Sequence, residues 1–402
     1  MTNYSDIEKH CKHQSDVLRM FIDDFFLNFI AKKENLEERF VKKLSRYKDV
    51  VRDFPETWFN HAIAQYMAHL AFKKNGLAAK YAEHKTIQKR SVDERKFFEN
   101  HLQRPWRFSF CVIKHEPADN FFEMQDLFSN ETFLLYSPGI KDMCEQYGDI
   151  KSFFILMNNN GSCYQSFSII NYFMSFDASD FFFFARQLNP EMIFHNQAQV
   201  LIEENPIPFM LLYLFAEFPV NISRGQRLVY CFSEYQLDDF EPDEYRNDFV
   251  IEKKQQLFRL GLKRWQGFPH LAHCYFHRKK RRFIITAMTV KGYDNLIEAL
   301  NKTGYDFPFN PDVSASPVML QVVKRFFNIK HDLDPYGKFF EKNQEPANTE
   351  EMGKLNVFMG MLMKSLDSRE TFDISEMAEE AGVDLETAEQ IAESVAKKLR
   401  SE

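Results

Sequence analysis

Eight basic residues stand between positions 259 and 282 with no Asp or Glu among them: Arg259, Lys263, Arg264, Arg278, Lys279, Lys280, Arg281 and Arg282. Cations at this density neutralise phosphates, and the rings of Trp265 and Tyr275 between them suit stacking on unpaired bases. These ten residues form the candidate nucleic-acid-binding surface. The same run has a plainer reading, in which Arg278 to Arg282 is a solvated hairpin tip whose charge discourages edge-to-edge pairing. Five adjacent cations cannot all be buried, so the tip must meet water or an anionic surface. Asp238, Asp239, Glu241, Asp243, Glu244 and Asp248 precede it and offer that sign of charge within the chain.

Other chemistry is sparser. Pro242-Asp243, followed after Phe249-Val250-Ile251 by Glu252-Lys253-Lys254, resembles the PD…ExK pattern of metal-dependent nucleases. The resemblance implies that Asp243 and Glu252 hold Mg²⁺ while Lys254 positions the attacking water. The competing reading takes Glu252 to Leu260 as the charged start of a helix. His61 and His69, eight apart on a helix, are about 12 Å apart in rise, and His273 and His277 on a strand are about 13 Å apart, so neither pair shares an ion. His10, Cys11 and His13 offer two ligands from one helical turn with nothing nearby to complete four. No metal site is expected. With 13 glycines in 402 residues there is no GxGxxG and no GxxxxGK[ST], so no nucleotide cofactor is expected.

The positioning elements follow from periodicity. Val17, Leu18, Phe21, Ile22, Phe25, Phe26, Phe29 and Ile30 recur at helical spacing, and further helices are expected over 36–44, 56–74 and 93–102, making 1–104 a helical N-terminal region. From Trp106 the period becomes two. Strands over 107–114, 121–127, 132–136, 152–157 and 163–169 predict a mainly antiparallel, hairpin-built sheet. Asp177 caps a helix through Phe181 to Leu188, more helices follow near 191–204 and 207–217, and 226–235 returns to strand. Residues 271–290 read as the basic hairpin, with His273, Tyr275 and His277 on one face. The whole is an α+β fold whose central domain covers 105–340, with one or two subdomains.

Residues 341–351 read as a polar linker, and 352–402 as a small three-helix module. Asp373 is a candidate N-cap, Gly382 fits a turn, and Asp384 caps a last helix whose buried face would be Leu385, Ala388, Ile391, Ala392, Val395 and Leu399. Ala378, Gly382 and Val383 are spaced so that this tail resembles a helix-turn-helix, a family whose second helix reads the major groove. Here nine acidic residues and no Lys or Arg lie between Glu370 and Glu393, and Glu386 and Glu389 at the start of that helix would repel phosphates. The tail is therefore expected to dock a protein partner through Glu386 and Glu389.

Net charge is −7, so any nucleic-acid contact must be local to a patch. The 44 phenylalanines occur in blocks too short to cross a bilayer and are expected in the core. Six scattered cysteines without CxxC spacing, and an N-terminus without a signal pattern, point to a cytoplasmic, reducing setting with no membrane contact. The function expected first is that of a non-catalytic interaction protein. Nucleic-acid binding through 259–282 is the alternative, and a metal-dependent nuclease the third.

Overall fold

The computed structural model describes residues 3–52, 55–148, 150–218, 220–302, 304–340, 353–355, 357–362, 373–389 and 391–392. Contacts divide the chain into two units, Met1–Asp334 and Pro335–Glu402. The first mixes helices with two six-stranded sheets and a two-stranded one, an α+β arrangement. No helix among the described residues is long and apolar enough to cross a membrane.

The first unit opens with α1 (Tyr4–Val17), which continues through a π-helical stretch (Leu18–Phe26) into α2 (Leu27–Glu34). The wide turns bring Phe21, Ile22 and Phe26 into the core together. Asn35, at φ 51°, redirects the chain into α3 (Leu36–Leu44). Next come α4 (Glu56–Phe72) and α5 (Val92–Gln103), the latter begun by a Ser91/Glu94 capping box. Beyond α4 the chain turns at Asn75-Gly76, where a Cβ on Gly76 would collide with the Ala71 carbonyl oxygen.

Strands β1 (Arg107–Ala118), β2 (Phe121–Asp126) and β3 (Thr132–Tyr136) precede α6 (Pro138–Tyr147), and β4 (Ser152–Asn159), β5 (Tyr164–Ser166) and β6 (Asn171–Phe173) follow it. β1 pairs with β2 on one side and with β4 on the other, β2 pairs with β3, β3 runs parallel to β5, and β5 pairs with β4. The ladders therefore close into a ring, with β6 attached to β4. Alternation gives the ring two apolar faces. Phe153, Ile155 and Met157 join Phe122, Met124, Phe133 and Leu135 on one, while Phe108, Phe110, Phe154 and Leu156 join the helices on the other. The same core takes in Phe21 and Phe72 from the N-terminal helices, so residues before and after 104 share one interior. α7 (Ala178–Leu188), capped by Asp177, supplies Phe181, which stacks 4.0 Å from Phe110. α8 (His195–Glu204) brings Glu203 to the fully buried His69, at 2.6 Å between Oε2 and Nε2.

A tight hairpin, β7 (Ile222–Ser223) and β8 (Gln226–Arg227), precedes the second large sheet. That sheet contains β9 (Tyr230–Gln236), β10 (Phe249–Lys254), β11 (Leu257–Leu262), β12 (His273–His277), β13 (Arg282–Ala287) and β14 (Val313–Ala315). Its order is β10-β11-β12-β13-β9-β14, antiparallel throughout. One face is covered by α9 (Val290–Asn301), whose Tyr293, Leu296, Ile297 and Leu300 share a core with Cys274, Phe276, Phe283 and Ile285. α10 (Pro317–Phe327), capped by Ser316, returns Met319, Val322 and Val323 to the first core.

The helix expected from Glu252 to Leu260 is instead the β10–β11 hairpin, turning at Gln255 with φ 55°. Its charges pair across strands, Glu252 opposite Arg259, rather than along a helix face.

In the second unit, α11 (Ile374–Ala381) starts at Asp373, whose carboxylate accepts from the Ser375 amide, and ends at Gly382 with φ 67°. Asp384 accepts from the Thr387 amide at the start of the next helix. Phe358, Leu362, Met377, Ala378, Ala381, Ala388 and Ala392 form a separate small core. Leu385, expected on the buried face, is 46% exposed. The linker 341–351 and Glu370, Glu393, Val395 and Leu399 lie outside the described residues.

Candidate functional site

The basic stretch divides into two places at opposite ends of β12. Beyond its C-terminal end, Arg278–Lys280 form a 3-10 turn in which His277 Nδ1 accepts from the Lys280 amide. Arg281 has φ 54°, which carries the chain back into β13. Here the cations meet acids. Arg278 Nη2 lies 2.9 Å from Glu241 Oε2 and Arg281 Nη1 2.6 Å from Asp238 Oδ1. Arg282 donates twice to Glu234, at 2.6 and 2.7 Å. One strand over, Arg259 Nε donates to Glu252 at 2.6 Å. Lys279 and Lys280 are exposed and carry no ion pair among the described residues.

Before the N-terminal end of β12 the chain makes a compact loop. Trp265 and Gln266 donate their amides to the Leu262 carbonyl, Ala272 donates to Trp265, and a cis Phe268–Pro269 bond completes the bend. Gly261 makes room for it, since a Cβ there would sit 2.5 Å from Gln266 Oε1. Lys263 Nζ fastens the loop to the Arg246 and Asn247 carbonyls at 3.0 and 2.8 Å. Arg224, from the β7–β8 turn, donates to the Phe268 carbonyl at 3.1 Å. Lys291, in the first turn of α9, lies 5.4 Å from the Trp265 ring centre, and His270 packs edge-on to the same ring at 4.5 Å. His270 also hydrogen-bonds to the Thr289 hydroxyl, the cap of α9, at 2.7 Å. Burial, with Lys291 beside it, holds the His270 imidazole below the usual histidine range.

These residues enclose an open recess of about 600 Å³. Four cations line it, Arg224, Lys263, Arg264 and Lys291, together with Trp265 and Phe268, and among the described residues that line it none is Asp or Glu. Among the described residues none of Arg224, Arg264 and Lys291 is ion-paired. Phe268 is 49% exposed, so its ring is open to stacking, whereas Trp265 is half-buried.

The structure thus brings Lys263, Arg264 and Trp265 into one site and sets Arg259 and Arg278–Arg282 apart from it. Tyr275 is corrected. At 1% exposure it cannot stack on a base. Its strand face is covered by the segment around Leu333, whose carbonyl accepts from Thr286, and Asp334 hydrogen-bonds the Tyr275 hydroxyl. Arg224, His270 and Lys291 escaped the sequence reading. The signal for Arg224 was its Gly225 neighbour, since both have positive φ, 48° and 71°, as a two-residue hairpin turn requires.

The nuclease-like residues do not converge. Asp243, itself exposed in a 3-10 turn (Pro242–Tyr245), pairs with Arg246 at 2.6 Å, and Glu252 is occupied by Arg259. Lys254 ends β10. No group of three or more His, Cys, Asp or Glu among the described residues is placed to hold a metal ion. Glu386 and Glu389 are exposed at the start of the helix that Asp384 caps.

Compared with protein-family models, with curated proteins and with solved structures, the chain gives no match.

Proposed function

We propose that this chain binds single-stranded nucleic acid in the recess beneath the β11–β12 loop. Backbone phosphates would lie against Arg224, Arg264 and Lys291, and a base on the exposed ring of Phe268. The observation that carries the reading is a cavity whose wall, among the described residues, has four cationic side chains, Trp265 and Phe268 and no carboxylate. A base stacks on a protein ring only when it is unpaired, which favours single strands over duplex. The test is fluorescence anisotropy of labelled single-stranded and duplex oligonucleotides over a salt series. Single strands are expected to bind more tightly than duplex, with affinity falling as salt rises. Equal and salt-insensitive signals from wild type and an Arg224→Ala/Arg264→Ala/Lys291→Ala variant would reject the proposal.

A second reading rests on the unit Pro335–Glu402. Its described residues have a core of their own, and Leu385, Glu386 and Glu389 are exposed together just after the Asp384 cap. An exposed apolar side chain flanked by exposed carboxylates suits a basic protein partner. The check is co-purification of the full chain against one ending at residue 340. A partner retained equally by both would exclude the tail as its docking site.

A further inference from the structure

We propose that Cys11 and Cys163 are a redox-active pair that hydrogen peroxide converts into a disulfide, pinning α1 to the connection between β4 and β5. The two sulfurs lie 3.3 Å apart although 152 positions separate them in sequence. Both are buried, at 0% and 5% exposure. Closing from 3.3 Å to the roughly 2 Å of a disulfide needs only a small approach.

The surroundings hold the pair in register. Asn160 Nδ2 donates to Cys11 Sγ at 3.3 Å and to Cys163 Sγ at 3.8 Å. Its Oδ1 accepts from the Cys163 amide at 3.0 Å, which fixes the loop that carries the second sulfur. Gln165 Nε2 donates to the Cys11 carbonyl at 3.1 Å and to the Ser15 hydroxyl at 3.0 Å, which ties the helix to the same loop.

These thiols differ from the other buried ones. Burial alone pushes Cys274 well above the ordinary thiol range, and Cys231 is pushed up to about 12 mainly by burial. The hydrogen bond from Cys163 and the Asn160 amide instead lower Cys11, while the same sulfur–sulfur contact raises Cys163. The shared contact thus favours the thiolate at Cys11 over the thiolate at Cys163.

The chemistry balances with peroxide as the two-electron oxidant. The Cys11 sulfur attacks one peroxide oxygen, the O–O bond breaks, and water leaves once the thiol proton is passed on, giving a sulfenic acid. The Cys163 sulfur then attacks Cys11, the S–O bond breaks, the S–S bond forms, and the Cys163 proton departs with the hydroxyl as a second water. Two thiols and one peroxide yield one disulfide and two waters.

The experiment treats the folded full chain with graded hydrogen peroxide, stops the reaction with catalase, denatures in N-ethylmaleimide and maps the peptides by mass spectrometry. The expected product is a joined Cys11–Cys163 peptide, two hydrogens lighter than the separate peptides and released by dithiothreitol, with Cys231 and Cys274 still alkylated. In Cys163→Ser the sulfenic acid at Cys11 should be trapped by dimedone. If Cys11 and Cys163 emerge fully alkylated at peroxide doses that oxidise glutathione in the same tube, the proposal is overturned. Independent sulfinic acids at the two positions would overturn it equally. The wild-type map decides the matter even if the variant fails to fold.

Discussion

The hairpin tip after β12 and the loop before it are built from the same short strand, and both are rich in Lys and Arg. At the tip, Glu234, Asp238 and Glu241 receive three of the five cations. At the loop, the partners are backbone carbonyls and rings: Arg246, Asn247 and Phe268 accept from Lys263 and Arg224, and Trp265 faces Lys291. A carboxylate cancels a cation's field, whereas a carbonyl or a ring holds the side chain in place and leaves most of its charge to attract an anion. The denser run in sequence is thus the more neutralised in space, and the sparser one keeps its field.

The contrast breaks most visibly in the recess. Removing Arg224, Arg264 and Lys291 together should lower the logarithmic salt slope by about 2 and the affinity at 0.1 M salt on the order of a hundredfold, at about 0.7 per phosphate contact for single strands. The same anisotropy titration with Arg278, Arg281 and Arg282 changed to Gln should move little. If the tip variant loses as much as the recess variant, the assignment is wrong. Phe268→Ala should cost about 1–3 kcal/mol of binding, roughly fivefold to 150-fold, with the salt slope unchanged, because stacking releases no counterions.

Neutralising the acids sharpens the same comparison from the other side. Glu234→Gln, Asp238→Asn and Glu241→Gln together should convert the tip into a second phosphate-binding patch, with a severalfold gain in affinity and a steeper slope. Stability should change little, since exposed ion pairs contribute about 0–1 kcal/mol each. The smallest effect concerns pH. Burial and Lys291 hold the His270 imidazole below the usual histidine range, so acidification adds a positive charge to the recess. Affinity for an anionic strand should therefore rise as pH falls through and below the ordinary histidine range, and His270→Phe should flatten that rise.

Much of the scaffold was legible from periodicity. Residues 36–44 form the expected helix, Asp177 caps its helix as expected, and β1 to β4 lie where the alternation put them. Lys263, Arg264 and Trp265 were legible as a group because cations and a ring adjoin in sequence. What escaped depended on distant cover. The alternation of His273, Tyr275 and His277 identified a shared face, but nothing local announces that a segment near Leu333 closes over it. EKKQQLFRL misled because its charges suit a helix terminus, and only pairing across the turn shows that Glu252 and Arg259 satisfy one another. Arg224 and Lys291 come from a hairpin and a helix on either side of the loop, so the complete charge set exists only after the sheet has folded.

The circular pairing of β1, β2, β3, β5 and β4 has a dynamic consequence. Every strand in it pairs with two neighbours, so none is an outer edge strand, and detaching a whole strand means breaking two ladders. Deuterium uptake around the ring should then be slow and collective, limited by the opening of that part of the molecule as a single unit, while the charged margin at Lys253 and Lys254 exchanges early.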